Sequence, residues 1–193
     1  GFAISSNFVS QTTNDATKGL LTDEAIASYN KAIEIKPDYD QAHTNLGIAL
    51  SSIQAREFSE SLAENYLFIL NLETVVRPSR VVGSVITLLK HHDIVKEAIT
   101  FSKKDRVKDL TLDFLVRLSK IQLLIKIIQV CPIPDLEMEW LLTGLRKITL
   151  LKRLHLSTNE ELIHFQSALA LQCFTNEYIY EETEEETAEV RAL

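Results

Sequence analysis

Hydrophobic residues recur every three or four positions along most of this 193-residue chain. That spacing places apolar side chains on one face of a helix, whereas a strand would alternate them at every second position. The chain also contains only 5 Gly and 4 Pro, so few residues favour turns. The pattern therefore predicts an all-α fold in which short loops join the helices.

Nine segments carry this helical pattern. In chain order, the predicted helices cover residues 22–36, 38 or 39 to about 50, 57–72, 78–90, 94–102, 105–118, 120–130, 136–154 and from 158 onward. Pro37 ends the first helix, and Pro78 suits the first turn of the fourth. Residues 120–130 are almost continuously apolar, so this helix should lie at the centre of a bundle. Residues 131–135 contain two prolines and are predicted to be extended.

The two ends of the chain leave alternatives open. Residues 1–21 are rich in Ser, Thr and Asn and form either a degenerate helix or a frayed start. Residues 181–189 hold six glutamates, which belong either to an acidic tail or to the first turns of another helix. We favour the helix, because its dipole stabilises glutamate at the N-terminus, and Ala188, Val190 and Leu193 would begin its apolar face. Since the chain starts without Met and the pattern runs to its last residue, we expect a fragment of a longer polypeptide.

Charge and hydropathy narrow the range of partners. The net charge is −7, and no block of basic residues could neutralise a run of phosphates. No apolar run reaches the ~18–20 residues that a membrane-spanning helix needs, and no signal peptide is evident. We therefore expect a cytoplasmic protein that binds neither nucleic acid nor membrane. Cys131 and Cys173 are expected to be buried free thiols, with a disulfide as the alternative.

Residues that could support chemistry are sparse. The glycines are isolated, so the chain has no glycine-rich loop to hold a nucleotide or S-adenosylmethionine, and we expect no cofactor. His91 and His92 are adjacent and would point about 100° apart on a helix. We expect a solvated helix terminus there, with no metal. A weaker alternative is an enzyme whose chemistry would come from Cys173, Asn176, Glu177 and Tyr178.

The segment from residue 23 to residue 50 resembles a tetratricopeptide repeat. Its small, aromatic and proline positions match the second helix of that repeat, and its Asn-Leu-Gly matches the first helix of the next one: Ala25, Tyr29, Ala32, Pro37, Asn45, Leu46 and Gly47. Gly47 should let a neighbouring helix approach closely. The third helix no longer carries the signature, so the repeat amounts to about one and a half helix-turn-helix units that continue into a multi-helix bundle.

The resemblance implies that first helices line a concave groove that binds a protein or peptide partner. Asn45 is the first candidate for that groove, because a carboxamide can both donate and accept hydrogen bonds along a peptide backbone. His43, Thr44 and Gln41 are further candidates. The alternative for Asn45 is that its side chain satisfies a neighbouring helix or water.

Three later blocks, at residues 72–79, 130–137 and 165–180, are similar to a group of bacterial tetratricopeptide proteins. In that group, a helical region joins the repeats to a C-terminal class I methyltransferase domain. The resemblance divides this chain into repeat helices at 1–72 and a helical bundle at 73–193. It implies a non-catalytic region that positions a protein partner or substrate for a methyltransferase domain absent from this chain. The alternative is a free-standing scaffold or adaptor, and no catalytic residue carries over in either case.

Overall fold

The computed structural model describes residues 22–72, 76–104, 106–151, 160–175 and 183–191, and this part of the chain consists of helices and loops. The α-helices are α1 at residues 22–35, α2 at Asp40–Ser51, α3 at Glu60–Asn71, α4 at Pro78–His91, α5 at Asp93–Lys103, α6 at Leu112–Ser119, α7 at Gln122–Val130, α8 at Leu136–Leu151, α9 at Glu160–Thr175 and α10 at Glu184–Arg191. The prediction of an all-α fold is confirmed.

Local hydrogen bonding sets several helix starts. Ser59 caps α3, since its hydroxyl accepts a hydrogen bond from the Leu62 N–H at 3.3 Å. The third helix therefore begins three residues later than the sequence predicts. Pro78 occupies the first turn of α4, as predicted, where its missing N–H removes no helical hydrogen bond.

The helix predicted at residues 105–118 is wrong in its first half. A short 3-10 turn at Val107–Asp109 stands there, and α6 begins only at Leu112. The Thr111 hydroxyl accepts a hydrogen bond from the Phe114 N–H at 3.2 Å and caps α6 at this point. Apolar spacing alone could not detect this break, because it continues through the capping residue.

Helix α7 lies at the centre of the bundle, as its apolar sequence predicts. It contacts α3, α4, α6 and α9. Leu124 and Ile127 are fully buried, and Ile128 is nearly so. The link that follows is not helical, as predicted, and it directs the chain into α8.

One hydrophobic core joins the repeat helices to the bundle. Buried side chains from Ile26 in α1 to Leu169 in α9 belong to a single contiguous cluster. Helix α2 packs on α4, and α3 packs on both α4 and α7. The domain boundary between residues 72 and 73 stays a sequence prediction, and the core continues across it.

Gly47 allows a close approach, but the neighbour is not the backbone of a helix. A Cβ built on Gly47 would lie 3.2 Å from Val76 Cγ1 and closer still to Val76 Cγ2. Val76 stands just before α4. The missing side chain of Gly47 therefore creates the space that Val76 fills, and this contact helps to seat α4 on α2.

The last helix exists as predicted, but Ala188 does not begin an apolar face, because its side chain is exposed. Instead α10 contacts α8 through Glu186. The Glu186 carboxylate accepts hydrogen bonds from Arg146 Nε at 3.0 Å and from Arg146 Nη2 at 3.2 Å. Glu186 also receives the Thr183 N–H at 2.8 Å, so the two residues form a capping box. The side chains of Val190 and Leu193 lie outside the described residues, as do residues 1–21 and the predicted helix start at Thr158.

Candidate peptide-binding face on α2

Four side chains of α2 form one outward stripe, which we call the α2 stripe: Gln41, Thr44, Asn45 and Ile48. Their spacing of three, four and seven residues places them on the same side of the helix. Gln41 and Ile48 are exposed, Ile48 at 53% of its surface, while Thr44 and Asn45 are half-buried. The stripe thus combines polar groups with one accessible apolar side chain.

The polar groups of the stripe are already oriented. Gln41 Nε2 donates a hydrogen bond to Asn45 Oδ1 at 2.9 Å. This bond holds both carboxamides along the helix surface and leaves the Asn45 amide N–H groups as donors and Gln41 Oε1 as an acceptor. A donor and an acceptor on neighbouring side chains can bind the C=O and N–H groups of an extended peptide.

The structure separates His43 from the other three candidate residues. Its ring is buried, with only 4% of the residue exposed, and it stacks on Phe68 with 5.6 Å between ring centroids. His43 Nε2 lies 2.7 Å from the Pro37 carbonyl oxygen. Since a carbonyl can only accept, Nε2 carries the proton and ties the α1–α2 turn to α2. A ligand on the α2 stripe would not reach this ring.

Buried hydrogen bonds fix α2 against its neighbours. The Tyr66 hydroxyl of α3 donates to the Leu50 carbonyl at 2.9 Å, and the Ser84 hydroxyl of α4 donates to the Ser51 carbonyl at 3.1 Å. Tyr66 is fully buried, and this burial raises its pKa to about 12. The C-terminal end of α2 is therefore hydrogen-bonded from two sides, by α3 and by α4.

The structure adds apolar residues that the sequence interpretation did not select. Ile35 is 77% exposed at the end of α1, and Tyr39 is 43% exposed in the turn before α2. Lys36 lies 5.6 Å from the centre of the Tyr39 ring. The spacing of Ile48 from Asn45 could have placed it on the stripe, but exposure of Ile35 depends on tertiary packing.

The repeat helices that carry the stripe are acidic in composition. Residues 22–72 contain eight Asp or Glu and three Lys or Arg. Asp38 and Asp40, both exposed, stand directly before the stripe in the chain. Such a field attracts cationic segments and repels anionic ones.

The other candidate chemistry gains no support from the described residues. Cys131 and Cys173 do not form a disulfide; Cys131 is buried, as predicted, but Cys173 is only half-buried. Burial raises the pKa of Cys131, which disfavours its thiolate. Asn176, Glu177 and Tyr178 lie outside the described residues. In the part of the chain that the structure describes, no three His, Cys, Asp or Glu side chains converge as a metal site requires. No helix described here is long and apolar enough to cross a membrane.

His91 and His92 serve separate structural roles. His91 Nε2 lies 3.1 Å from the Ala55 carbonyl oxygen, and His92 Nδ1 accepts a hydrogen bond from the Ile94 N–H at 3.3 Å. The His92 ring also meets Phe58 edge-on, with 4.6 Å between centroids. The two rings therefore join the α4–α5 turn to the segment before α3.

Comparison with known proteins places this face in a recognised repeat. No curated protein and no solved structure matches the chain. Residues 22–53 match the family model of the TPR (tetratricopeptide) repeat. The matched residues comprise α1, its turn and α2, which are the elements that position the α2 stripe. The chain thus contains a TPR repeat, and the α2 stripe lies on that repeat.

Proposed function

We propose that this chain is a non-catalytic protein-interaction region, and that its α2 stripe binds an extended peptide segment of a protein partner. The observation that carries the proposal is the oriented Gln41–Asn45 pair beside exposed Ile48, on the helix that the repeat match covers. The pair would bind backbone groups, and Ile48 would contact a side chain. The acidic composition of the repeat helices favours a partner segment with a net positive charge.

The finer proposal is that this region positions a partner or substrate for a methyltransferase domain outside this chain. Its support is the resemblance of the three later sequence blocks to a group of methyltransferase-linked repeat proteins. Two of these blocks meet in the fold, since Gln172 Nε2 donates to the Ile128 carbonyl at 2.6 Å and to the Cys131 carbonyl at 3.0 Å. A free-standing scaffold is the alternative. In both versions, the region itself uses no cofactor and acts in the cytoplasm.

Peptide selection tests the proposed binding. Peptides are selected from a random displayed library on the whole chain, and the affinity of the best peptide is measured by calorimetry. Asn45→Ala should weaken binding about tenfold, because one oriented hydrogen bond contributes about 1–1.5 kcal/mol. Ile48→Asp should weaken it further. Asn71→Ala, which changes an exposed asparagine at the end of α3, is the matched control and should have no effect.

Two results would contradict the proposal. Selected peptides that bind equally well to the wild-type chain and to Asn45→Ala would remove the α2 stripe as the site. For the finer proposal, sequencing of the gene beyond Leu193 decides between the alternatives, since a stop codon close by would exclude a following methyltransferase domain. Calorimetry with S-adenosylmethionine should show no binding to this chain.

A further inference from the structure

The outward side of α9 carries apolar side chains that the described part of the chain leaves exposed. Phe174 is 91% exposed, Leu171 48% and Ile163 47%. Ser167 and Ala170 lie between them and are exposed as well. Their spacing places all five on one side of the helix, opposite the buried Leu162, Phe165, Ala168, Leu169 and Gln172. We call these five exposed residues the α9 face.

The α9 face is free of charge. Residues 162–175 contain no Asp, Glu, Lys or Arg, although the whole chain has a net charge of −7. Two copies of an anionic protein repel each other over most of their surfaces. At the α9 face they could meet without bringing like charges together and without burying an unpaired charge.

The order of large and small side chains makes this face complementary to itself. Ile163 stands at one end, Leu171 and Phe174 at the other, and the small Ser167 and Ala170 in the middle. In an antiparallel pair related by a two-fold axis, Phe174 of one copy would lie over Ile163 of the second copy. The small residues would meet at the axis and let the helices approach closely.

We propose that the α9 face is the contact of a weak antiparallel homodimer of this chain. The three large side chains offer roughly 400 Å² per copy, whereas a stable dimer needs roughly 800 Å² per partner. The dimer is therefore weak and should dissociate on dilution. The α9 face and the α2 stripe share no residue, so this proposal does not depend on the proposed function.

Sedimentation equilibrium of the whole chain from about 1 to 500 μM tests the proposal. The weight-average mass should rise from 21.9 kDa towards twice that value with increasing concentration. Phe174→Asp should keep the chain monomeric, because a charge would stand over an apolar side chain in each half of the pair. Phe174→Ser is the milder variant and should weaken dimerisation at least tenfold. Phe174 is almost fully exposed, so neither variant should change the circular dichroism or the melting temperature.

The matched control is Ile35→Asp, which places the same charge at another exposed isoleucine, 77% accessible and on α1. It should dimerise like the wild-type chain. If the chain is monomeric at every concentration, the α9 face does not bind a second copy, and the proposal of a homodimer is wrong. The face would then bind a different protein. A dimer that persists in Phe174→Asp, or that only Ile35→Asp disrupts, would overturn the assignment to the α9 face.

Discussion

Adding one methyl group to each of two helical glycines tests how the repeat joins the bundle. Gly47 is buried in α2, and a Cβ there would overlap the side chain of Val76. Gly83 lies in α4, and a Cβ there would have no atom within 4 Å. Gly47→Ala and Gly83→Ala are thus the same chemical change in two helices, with and without a neighbour.

The expected magnitudes follow from that difference. Replacing glycine by alanine within a helix stabilises it by about 1 kcal/mol, and Gly83→Ala should show this gain. At Gly47 the same gain is opposed by overpacking against Val76, which costs about 1–3 kcal/mol. The two variants should therefore differ by about 1–3 kcal/mol in their free energy of unfolding. For a chain of this size, that corresponds to roughly 2–12 °C in melting temperature.

Thermal and urea unfolding, followed by circular dichroism, measure the difference. The double variant Gly47→Ala/Val76→Ala should recover most of the loss, because the smaller side chain removes the overlap. A coupling energy of about 1 kcal/mol or more in that cycle would identify Val76 as the neighbour. If Gly47→Ala stabilises the protein as much as Gly83→Ala does, the packing of Val76 against α2 is wrong.

Three further predictions concern buried polar groups. Tyr66 has a folded pKa of about 12, above its unfolded value near 10. It therefore stabilises the fold below pH 10, and this contribution is lost as the pH rises towards 12. In urea unfolding at different pH values, Tyr66→Phe should flatten the alkaline part of the stability curve. Burial lowers the pKa of His92, although the charges of Asp93 and Glu60 oppose this shift. Stability should therefore fall as the pH drops below about 6.5. A His92→Asn variant, which can still cap α5, should lose that dependence when unfolding is measured across this pH range. Arg146→Ala would leave the buried Glu186 carboxylate without its guanidinium partner. The backbone amides of α10 should then lose hydrogen-exchange protection at least tenfold. Arg191→Ala, which changes an exposed arginine of α10, is the control and should leave that protection unchanged.

The ion pair between Glu186 and Arg146 could not be predicted from the sequence. Burial opposes the ionisation of Glu186, but the hydrogen bonds from Arg146 and Thr183 outweigh that effect, and the pKa of Glu186 lies below its ordinary value. The Thr183–Glu186 spacing is a local capping signal that the sequence does display. The burial of Glu186 depends on Arg146, which lies forty residues away in the chain. The spacing of apolar residues along the sequence does not indicate a contact between such distant positions.

Local signals predicted the elements better than their contacts. Pro37 and Pro78 correctly located one helix end and one helix start, because proline acts on its own backbone. Val76 and Gly47 meet only in the folded chain, so the sequence indicated a close approach at Gly47 but not its neighbour. The break before Leu112 was missed because a capping threonine does not interrupt the apolar spacing.

In the candidate site, too, the sequence predicted local features better than contacts between helices. Helical spacing was sufficient to place Gln41, Thr44 and Asn45 on one side of α2. The burial of His43 against Phe68 was not predictable, since stacking on α3 depends on how the two helices pack. The exposure of Ile35 was missed for the same reason, whereas the spacing of Ile48 from Asn45 could have placed Ile48 on the stripe. Whether the remaining residues bind a peptide stays a prediction.

Nuclear magnetic resonance of the ¹⁵N-labelled chain, titrated with a selected basic peptide, tests the central claim most directly. The α2 stripe should show the largest shifts, with the side-chain amide of Asn45 and the backbone amides of Thr44 and Ile48 moving together and saturating at one affinity. The same titration should leave the α9 face unchanged. Shifts that are absent from Asn45 and concentrated on another helix would contradict the account.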